Sequence, residues 1–270
     1  MPEGDTVFLA ATRLRTALAG RPLVRSDFRV PRWATVDLAG RRVTAVVSRG
    51  KHLLFRFDGG LTLHTHYRMQ GSWHLYRRGE RWRGPGFQAR VVLENDAFVA
   101  VGFRLPIVDV IETAREADLV GHLGPDPLGD DWDAGEALRR LVADPARPIG
   151  DVVFDQRVIA GPGNVYRCEV CFLRGVHPDT PVGAVPEPAR VVDLVKRLLD
   201  ANRATGSQIT TGDARPGRER WVYGRAGDPC RRCGVPIRRR EAGPDRLDRV
   251  TYWCPTCQPV AGLPIATQPR

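Results

Sequence analysis

Four cysteines near the C-terminus, Cys230, Cys233, Cys254 and Cys257, form two Cys-x2-Cys pairs with twenty residues between them. Each pair can present two thiolates to one metal ion, and two pairs complete the tetrahedron that Zn2+ prefers. Four thiolates leave no open coordination position, so a single Zn2+ is expected to be structural. Two disulfides, the competing reading, suit a reducing cytoplasm poorly. A second chemical possibility lies at the opposite end, where the chain opens Met1-Pro2-Glu3-Gly4-Asp5. Loss of Met1 would leave Pro2 with a free secondary amine. A model α-amino group has a pKa of roughly 7.7–8.0, so such an amine is partly neutral and nucleophilic at pH 7. Glu3 beside it could supply a proton. The same residues also read as a plain helix start, with Pro2 in the first turn and Glu3 and Asp5 at its positive end.

Other reactive residue types have quieter readings. Cys168 and Cys171 form a third Cys-x2-Cys inside a helical pattern, which reads as two small buried side chains. His64 and His66 fall on one face of a strand and read as packing or hydrogen-bonding groups. Only two of the 41 basic residues are lysines, Lys51 and Lys196. A position that stays lysine in so arginine-rich a chain can be one that needs a compact ammonium, which singles out Lys51.

The elements that must position these residues follow from periodicity. Over residues 2–19, Val7, Ala10, Ala11, Leu14, Ala17 and Leu18 recur on one helical face, and Gly20 and Pro22 end the pattern. Residues 23–112 read as short strands. HLLFRF-DG-GLTLHTH and FQARVVLE-ND-AFVAVGFRL each predict a hairpin. Residues 113–131 are dense in Gly, Pro and Asp and read as a linker. Helical patterns then cover residues 135–142, 149–159, 164–173 and 188–204, with AGPGN breaking two of them. Between the C-terminal cysteine pairs, residues 235–253 predict a hairpin carrying five arginines, placed for phosphate contact.

The expected fold is an α+β multidomain chain. An N-terminal helix and β-sandwich domain spans 1–115, a linker 116–131, a helical domain 132–220, a four-cysteine zinc-finger β-hairpin 221–258, and a tail 259–270. A formal net charge of +10 points to a polyanionic partner, nucleic acid first. The sequence shows neither an apolar run of membrane-spanning length nor a secretory signal pattern. The expected location is therefore cytoplasmic, with no membrane partner.

MPEGDTV at the start, SRGKHLLF before the first hairpin, LGPDPL in the linker, DQRVIAGPGNVYRCEVCF in the helical part, and VYGRAGDPCRRCGVPI with RVTYWCPTCQ at the end occur in one order. Together they resemble the formamidopyrimidine-DNA glycosylase/endonuclease VIII family of bacterial base-excision repair enzymes, over nearly the whole chain. The opening EGDTV is more similar to the endonuclease VIII branch. The resemblance implies a bifunctional DNA glycosylase/AP lyase with a helix-two-turn-helix DNA-binding domain over 132–220, acting on oxidised bases, pyrimidines foremost. It implies a monomer working on damaged DNA at the nucleoid, with the lesion nucleotide flipped out of the duplex.

Site roles come from the same resemblance. Pro2 would attack C1′ and form a Schiff base, Glu3 would be the proton donor, and strand cleavage would follow by β,δ-elimination. Lys51 would assist at the phosphate near the lesion. Met69 would wedge into the space that the flipped nucleotide leaves, with Phe103 and Arg104 as candidates for the rest of the wedge. Asn164 and Arg249 would grip phosphates, and Glu169 would be structural. The main alternative is a non-catalytic zinc-finger protein that binds damaged DNA, and a second is an RNA-binding zinc protein. The first does not account for Met1-Pro2-Glu3 together with Lys51, and the second would need aromatics for base stacking, which make up only 7% of the chain.

Overall fold

The first helix, α1 (Gly4–Leu18), begins later than the sequence pattern indicates. Glu3 has φ −121° and ψ −173°, so it is the extended N-cap residue, and Pro2 precedes the helix instead of occupying its first turn. The helix buries Val7, Ala11, Leu14, Ala17 and Leu18, while Ala10 is only partly covered. The structure is a computed structural model that describes residues 2–241 and 250–259, and Arg249 lies outside the described residues. The chain divides into two compact units, Met1–His122 and Leu123–Arg270.

The first unit is a β-sandwich joined by α1. One antiparallel sheet contains β1 (Arg25–Phe28), β5 (Ser72–Arg77), β6 (Ala89–Glu94) and β7 (Phe98–Phe103), in the order β1-β6-β7-β5. The other contains β2 (Val43–Arg49), β3 (His52–Phe57), β4 (Leu61–His66) and β8 (Ile107–Glu112), in the order β2-β3-β4-β8. The two hairpins expected from the sequence are β3-β4 and β6-β7, and they belong to different sheets. Alternation along the strands sends Val91, Leu93 and Ala100 from one sheet and Val46, Leu53, Phe55 and Leu63 from the other into one core with α1. The turn residue Asn95 is fully buried. Its Nδ2 donates to the Ala17 carbonyl at 2.9 Å, and its Oδ1 accepts from Ala97 and Phe98 N–H at 3.0 and 2.7 Å. One side chain thus shapes the β6-β7 turn and ties it to the end of α1.

The segment read as linker begins with structure of its own. A 3-10 turn, Thr113–Arg115, leads into α2 (Glu116–Val120). Glu116 accepts two bonds from Arg56, at 2.9 and 2.7 Å, and one from Thr62 at 2.6 Å. A five-residue helix held by such contacts is too short to leave a periodic signature.

The second unit carries α3 (Ala134–Leu141), α4 (Ile149–Phe154), α5 (Asn164–Arg174) and α6 (Ala189–Asn202) around one apolar core. The pattern over 149–159 suggested one continuous helix, but α4 stops at Phe154. Asp155 leaves the helical region with ψ 110°, and its carboxylate accepts from Arg157 N–H at 3.0 Å. The following turn is closed by Gln156, which donates to the Phe154 and Pro162 carbonyls and accepts from Gly161 N–H. Gly161, with φ 108°, holds a conformation that other residues resist. Beyond the helices, β9 (Arg238–Arg240) and β10 (Thr251–Trp253) form the expected antiparallel hairpin. Among the described residues no helix is long and apolar enough to cross a membrane.

Asn95→Ala should remove three bonds while leaving buried backbone groups unpaired. The expected loss is about 1–3 kcal/mol, read as a lower urea midpoint with an unchanged slope.

Candidate functional site

Pro2, extended ahead of α1, lines a cavity of about 500 Å³ together with Thr6 and Arg13 of α1 and Tyr67, Trp73 and His74. Glu3 is fully buried at the helix start, and its carbonyl accepts from Val7 N–H at 3.1 Å. Adjacent residues at the chain opening therefore differ in environment, one facing a cavity and one enclosed. Asp5, the other early carboxylate, is also fully buried within the first turn.

Met69 sits in a tight turn after β4. Gly71 N–H bonds to the Tyr67 carbonyl at 2.8 Å, and Arg68 takes a left-handed φ of 44°. A Cβ at Gly71 would lie 2.8 Å from the Tyr67 oxygen and 2.9 Å from its Cα, so the turn closes only around glycine. Met69 is 59% exposed, the arrangement a wedge residue requires. Phe103 has the opposite placement. It is buried against Trp82 and His74, which removes it as a wedge candidate, whereas Arg104 is exposed.

Lys51 lies in the two-residue turn between β2 and β3, with Gly50 at φ 57° and Arg49 paired with His52 across it. Beside it is a histidine cluster. His52 Nδ1 is 2.8 Å from His64 Nε2, and His64 Nδ1 is 3.4 Å from Asp109 Oδ2. An ionised carboxylate can only accept, so His64 donates from Nδ1 to Asp109 and accepts at Nε2 from His52. His66 Nδ1 accepts from Arg68 N–H at 2.9 Å, which puts the His66 proton on Nε2. Burial lowers the pKa of His52 to about 3, with the neighbouring histidines adding to the effect. Burial, then the Lys51 charge, lowers His66 to about 4. Burial also lowers His64, although Asp109 opposes it. All three rings are neutral at pH 7. The hairpin register, which places His52 opposite His66, was the sequence signal that could have revealed this cluster.

In the second unit the functional candidates centre on α5. Asn164 is buried, donates from Nδ2 to the Val250 carbonyl at 2.7 Å, and accepts at Oδ1 from Arg167 Nη1 at 2.9 Å. Arg167 Nη2 reaches Thr251 Oγ1 of β10 at 2.8 Å. Asp179 accepts two bonds from Arg240 of β9, at 2.6 and 2.7 Å. Gln258 bonds to Cys254 N–H and to the Val176 carbonyl. These contacts fasten the hairpin to the helical core through residues far apart in sequence, so no local pattern announces Arg167, Asp179 or Gln258. Glu169 is fully buried and accepts from the backbone N–H groups of Trp221, Val222 and Tyr223 at 2.8–2.9 Å, and from the Thr210 hydroxyl. That is a structural carboxylate, anchoring the turn that leads into the finger.

The four finger sulfurs all lie within 4.8 Å of one another, with Cys230–Cys257 at 3.9 Å and Cys233–Cys254 at 3.4 Å. A ZnS4 tetrahedron with Zn–S of about 2.3 Å has sulfur–sulfur edges of about 3.8 Å, so the donor set fits one structural Zn2+. Burial, then the adjacent cysteines, pushes the Cys257 thiol up, a penalty that a bound dication offsets. Cys168 packs beneath the finger with Phe172 and Val222, while Cys171 faces the helical core and burial pushes its thiol up to about 12. Both are buried, and neither is in a disulfide.

Sandwich, helical domain and four-cysteine finger define a class of DNA glycosylases, and the comparisons agree. Residues 1–109 match the formamidopyrimidine-DNA glycosylase N-terminal domain, 123–211 its H2TH domain, and 227–260 the zinc finger found in FPG and IleRS. The chain belongs to the formamidopyrimidine-DNA glycosylase/endonuclease VIII family. It is 56% identical over 261 residues to a Streptomyces coelicolor protein described as probable endonuclease 8 2, covering 96% of this chain and 94% of that one. It is 49% identical to the DNA-(apurinic or apyrimidinic site) lyase Nei2 of Mycolicibacterium smegmatis, covering 96% and 99%. Its fold matches Lactococcus lactis formamidopyrimidine-DNA glycosylase bound to DNA containing an abasic site, with a TM-score of 0.78 at 23% identity, covering 95% and 99%.

Two outcomes follow from this geometry. The folded histidines titrate below the ordinary value of about 6.5, so the unfolded chain takes up protons first and stability is lost as pH falls below that value. The thermal midpoint should decline between pH 7 and pH 5, and a flat profile there would contradict the burial argument. Stripping Zn2+ with a chelator, checked by metal analysis, should shift the fluorescence of Trp221 at the finger base. The melting transition of the N-terminal unit should survive.

Proposed function

We propose that this chain is a bifunctional DNA glycosylase/AP lyase of base-excision repair, acting on oxidised pyrimidines through the amine of Pro2. The observation that carries the reading is the chain opening, where Pro2 lines a cavity and Glu3 is buried directly behind it. Met1 must first be removed to free the nitrogen. The amine attacks C1′ of the flipped nucleotide, the glycosidic bond breaks, and the base departs with the bonding pair and a proton supplied by Glu3. Loss of the amine proton and opening of the sugar ring, in which O4′ leaves C1′ with the bonding pair and takes up a proton, give an iminium, which acidifies C2′–H. Removal of that proton expels the 3′ phosphate, and a second elimination expels the 5′ phosphate. The positive end of α1 favours the neutral amine beforehand.

The remaining residues serve the DNA. Lys51, a point charge on a tight turn, holds a phosphate near the lesion. His66 is neutral with its proton on Nε2, and can donate beside Lys51 without adding charge. Met69 enters the duplex where the nucleotide has left. Asn164 orders the hairpin that carries Arg249, and the second proton on its amide nitrogen can reach a phosphate. The Zn2+ fixes the arginine-bearing hairpin and takes no part in the chemistry. The protein acts as a cytoplasmic monomer at the nucleoid.

Borohydride trapping tests the reading. Native protein mixed with duplex carrying an abasic or oxidised-pyrimidine site should give a covalent adduct, and Pro2→Gly should abolish or severely reduce it. A non-catalytic damage-binding protein would bind the same duplex and give none.

A further inference from the structure

Phe87 is 80% exposed and Met69 59%, the two most open large apolar side chains among the described residues. Singly exposed apolar residues are ordinary, but these two rise from the same end of one sheet. Ser72 starts β5 just beyond the Met69 turn, and Ala89 starts β6 just beyond Phe87. Both pair with Phe103 at the end of β7. The turn after β7 completes the group. Its Arg104 is exposed, and the Arg104 N–H donates to the Gln88 carbonyl at 2.8 Å. Three turns therefore meet there, carrying Met69, Phe87 and Arg104. Within them Arg68 and Arg104 hold φ of 44° and 48°, left-handed for non-glycine residues. Such strain gathers at working sites.

The fold holds Phe87 outward. It lies in a 3-10 turn, Gly86–Gln88, where Gln88 N–H donates to the Pro85 carbonyl at 3.0 Å. Arg29 Nη1 donates to the Gly86 carbonyl at 3.0 Å. Gly84 lies so near the Phe103 ring that a Cβ would come within 2.8 Å of it. A ring presented from a fixed turn loses little freedom on binding, and its flat apolar face suits the face of a base. In an intact duplex the neighbouring bases already cover those faces. On the reading of Pro2 and Met69 given above, flipping leaves one base without a partner in the opposite strand, and Met69 enters the space beside it. We propose that Phe87 stacks on this unpaired base of the strand opposite the lesion. The Met69, Phe87 and Arg104 turns then form one surface for the distorted duplex, with the Arg104 charge available to its phosphates.

The test measures binding of wild type and Phe87→Ala to two duplexes that carry a tetrahydrofuran abasic analogue. One has adenine opposite the analogue, and the other has a second tetrahydrofuran there. With adenine present the variant should bind about tenfold more weakly, the scale of one lost base–aromatic stack. With no base to stack on, the two proteins should agree within about twofold. Phe87→Tyr, which keeps the ring, should match wild type on both duplexes. The melting midpoint of Phe87→Ala should not move, because so exposed a ring adds little to the core. Equal losses on both duplexes would place Phe87 on the DNA backbone and overturn the inference, as would no loss on either. Borohydride trapping of wild type at a natural abasic site separates the two readings. Absence of an adduct overturns the Pro2 reading, and this inference with it. An adduct alongside unimpaired binding by Phe87→Ala overturns this inference alone.

Discussion

The start of a chain is ordinarily its loosest part, and here it must be among the firmest. Everything proposed for the first unit depends on how α1 pins residues 2 and 3. The helix is anchored along its length by Val7, Ala11, Leu14 and Leu18 in the sandwich core. At its far end Asn95 holds the Ala17 carbonyl. At its near end Glu3 is enclosed as the N-cap residue. Pro2, one residue earlier, therefore has little freedom and sits at the cavity wall. A proline contributes too, since its ring removes one backbone rotation.

The second unit meets a different difficulty. A hairpin with two three-residue strands and exposed arginines on β9 cannot bury enough surface to hold itself. Three kinds of constraint replace a core. The metal gathers four sulfurs, Glu169 gathers three successive backbone N–H groups, and Asn164, Arg167 and Asp179 bind both strands to α5 and the loop after it. The apolar floor formed by Cys168, Phe172, Val222 and Ile237 is small. Polar and metal bonds give the hairpin its orientation, and orientation is what the phosphate contact proposed for it would need.

Local chemistry made some of this legible from residue types alone. The Cys-x2-Cys pairs announce their metal because tetrahedral thiolate coordination imposes spacing on the sequence. The hairpins at Asp58-Gly59 and Asn95-Asp96 announce themselves because reversing a strand demands particular turn residues. The helix start was less legible. Proline suits a first helical turn, so the pattern placed Pro2 inside α1, whereas the extended conformation of Glu3 excludes it. Helix α4 was overextended because Val158 and Ile159 are apolar at helical spacing, yet they are buried from a turn.

What the sequence determined by itself is the inventory: a releasable secondary amine, a carboxylate beside it, four thiols spaced for zinc, an arginine-rich hairpin, and the order of sandwich and helices. Each depends on residue identity or on contacts a few positions apart. Only the tertiary structure decided the partnerships. It joined His52 to His64 and Asp109, set Glu169 under the finger, and buried Phe103 while exposing Met69. Such pairings bring together residues from separate strands and helices. Burial and hydrogen bonding depend on what lies across that space, which no local pattern of residue types encodes.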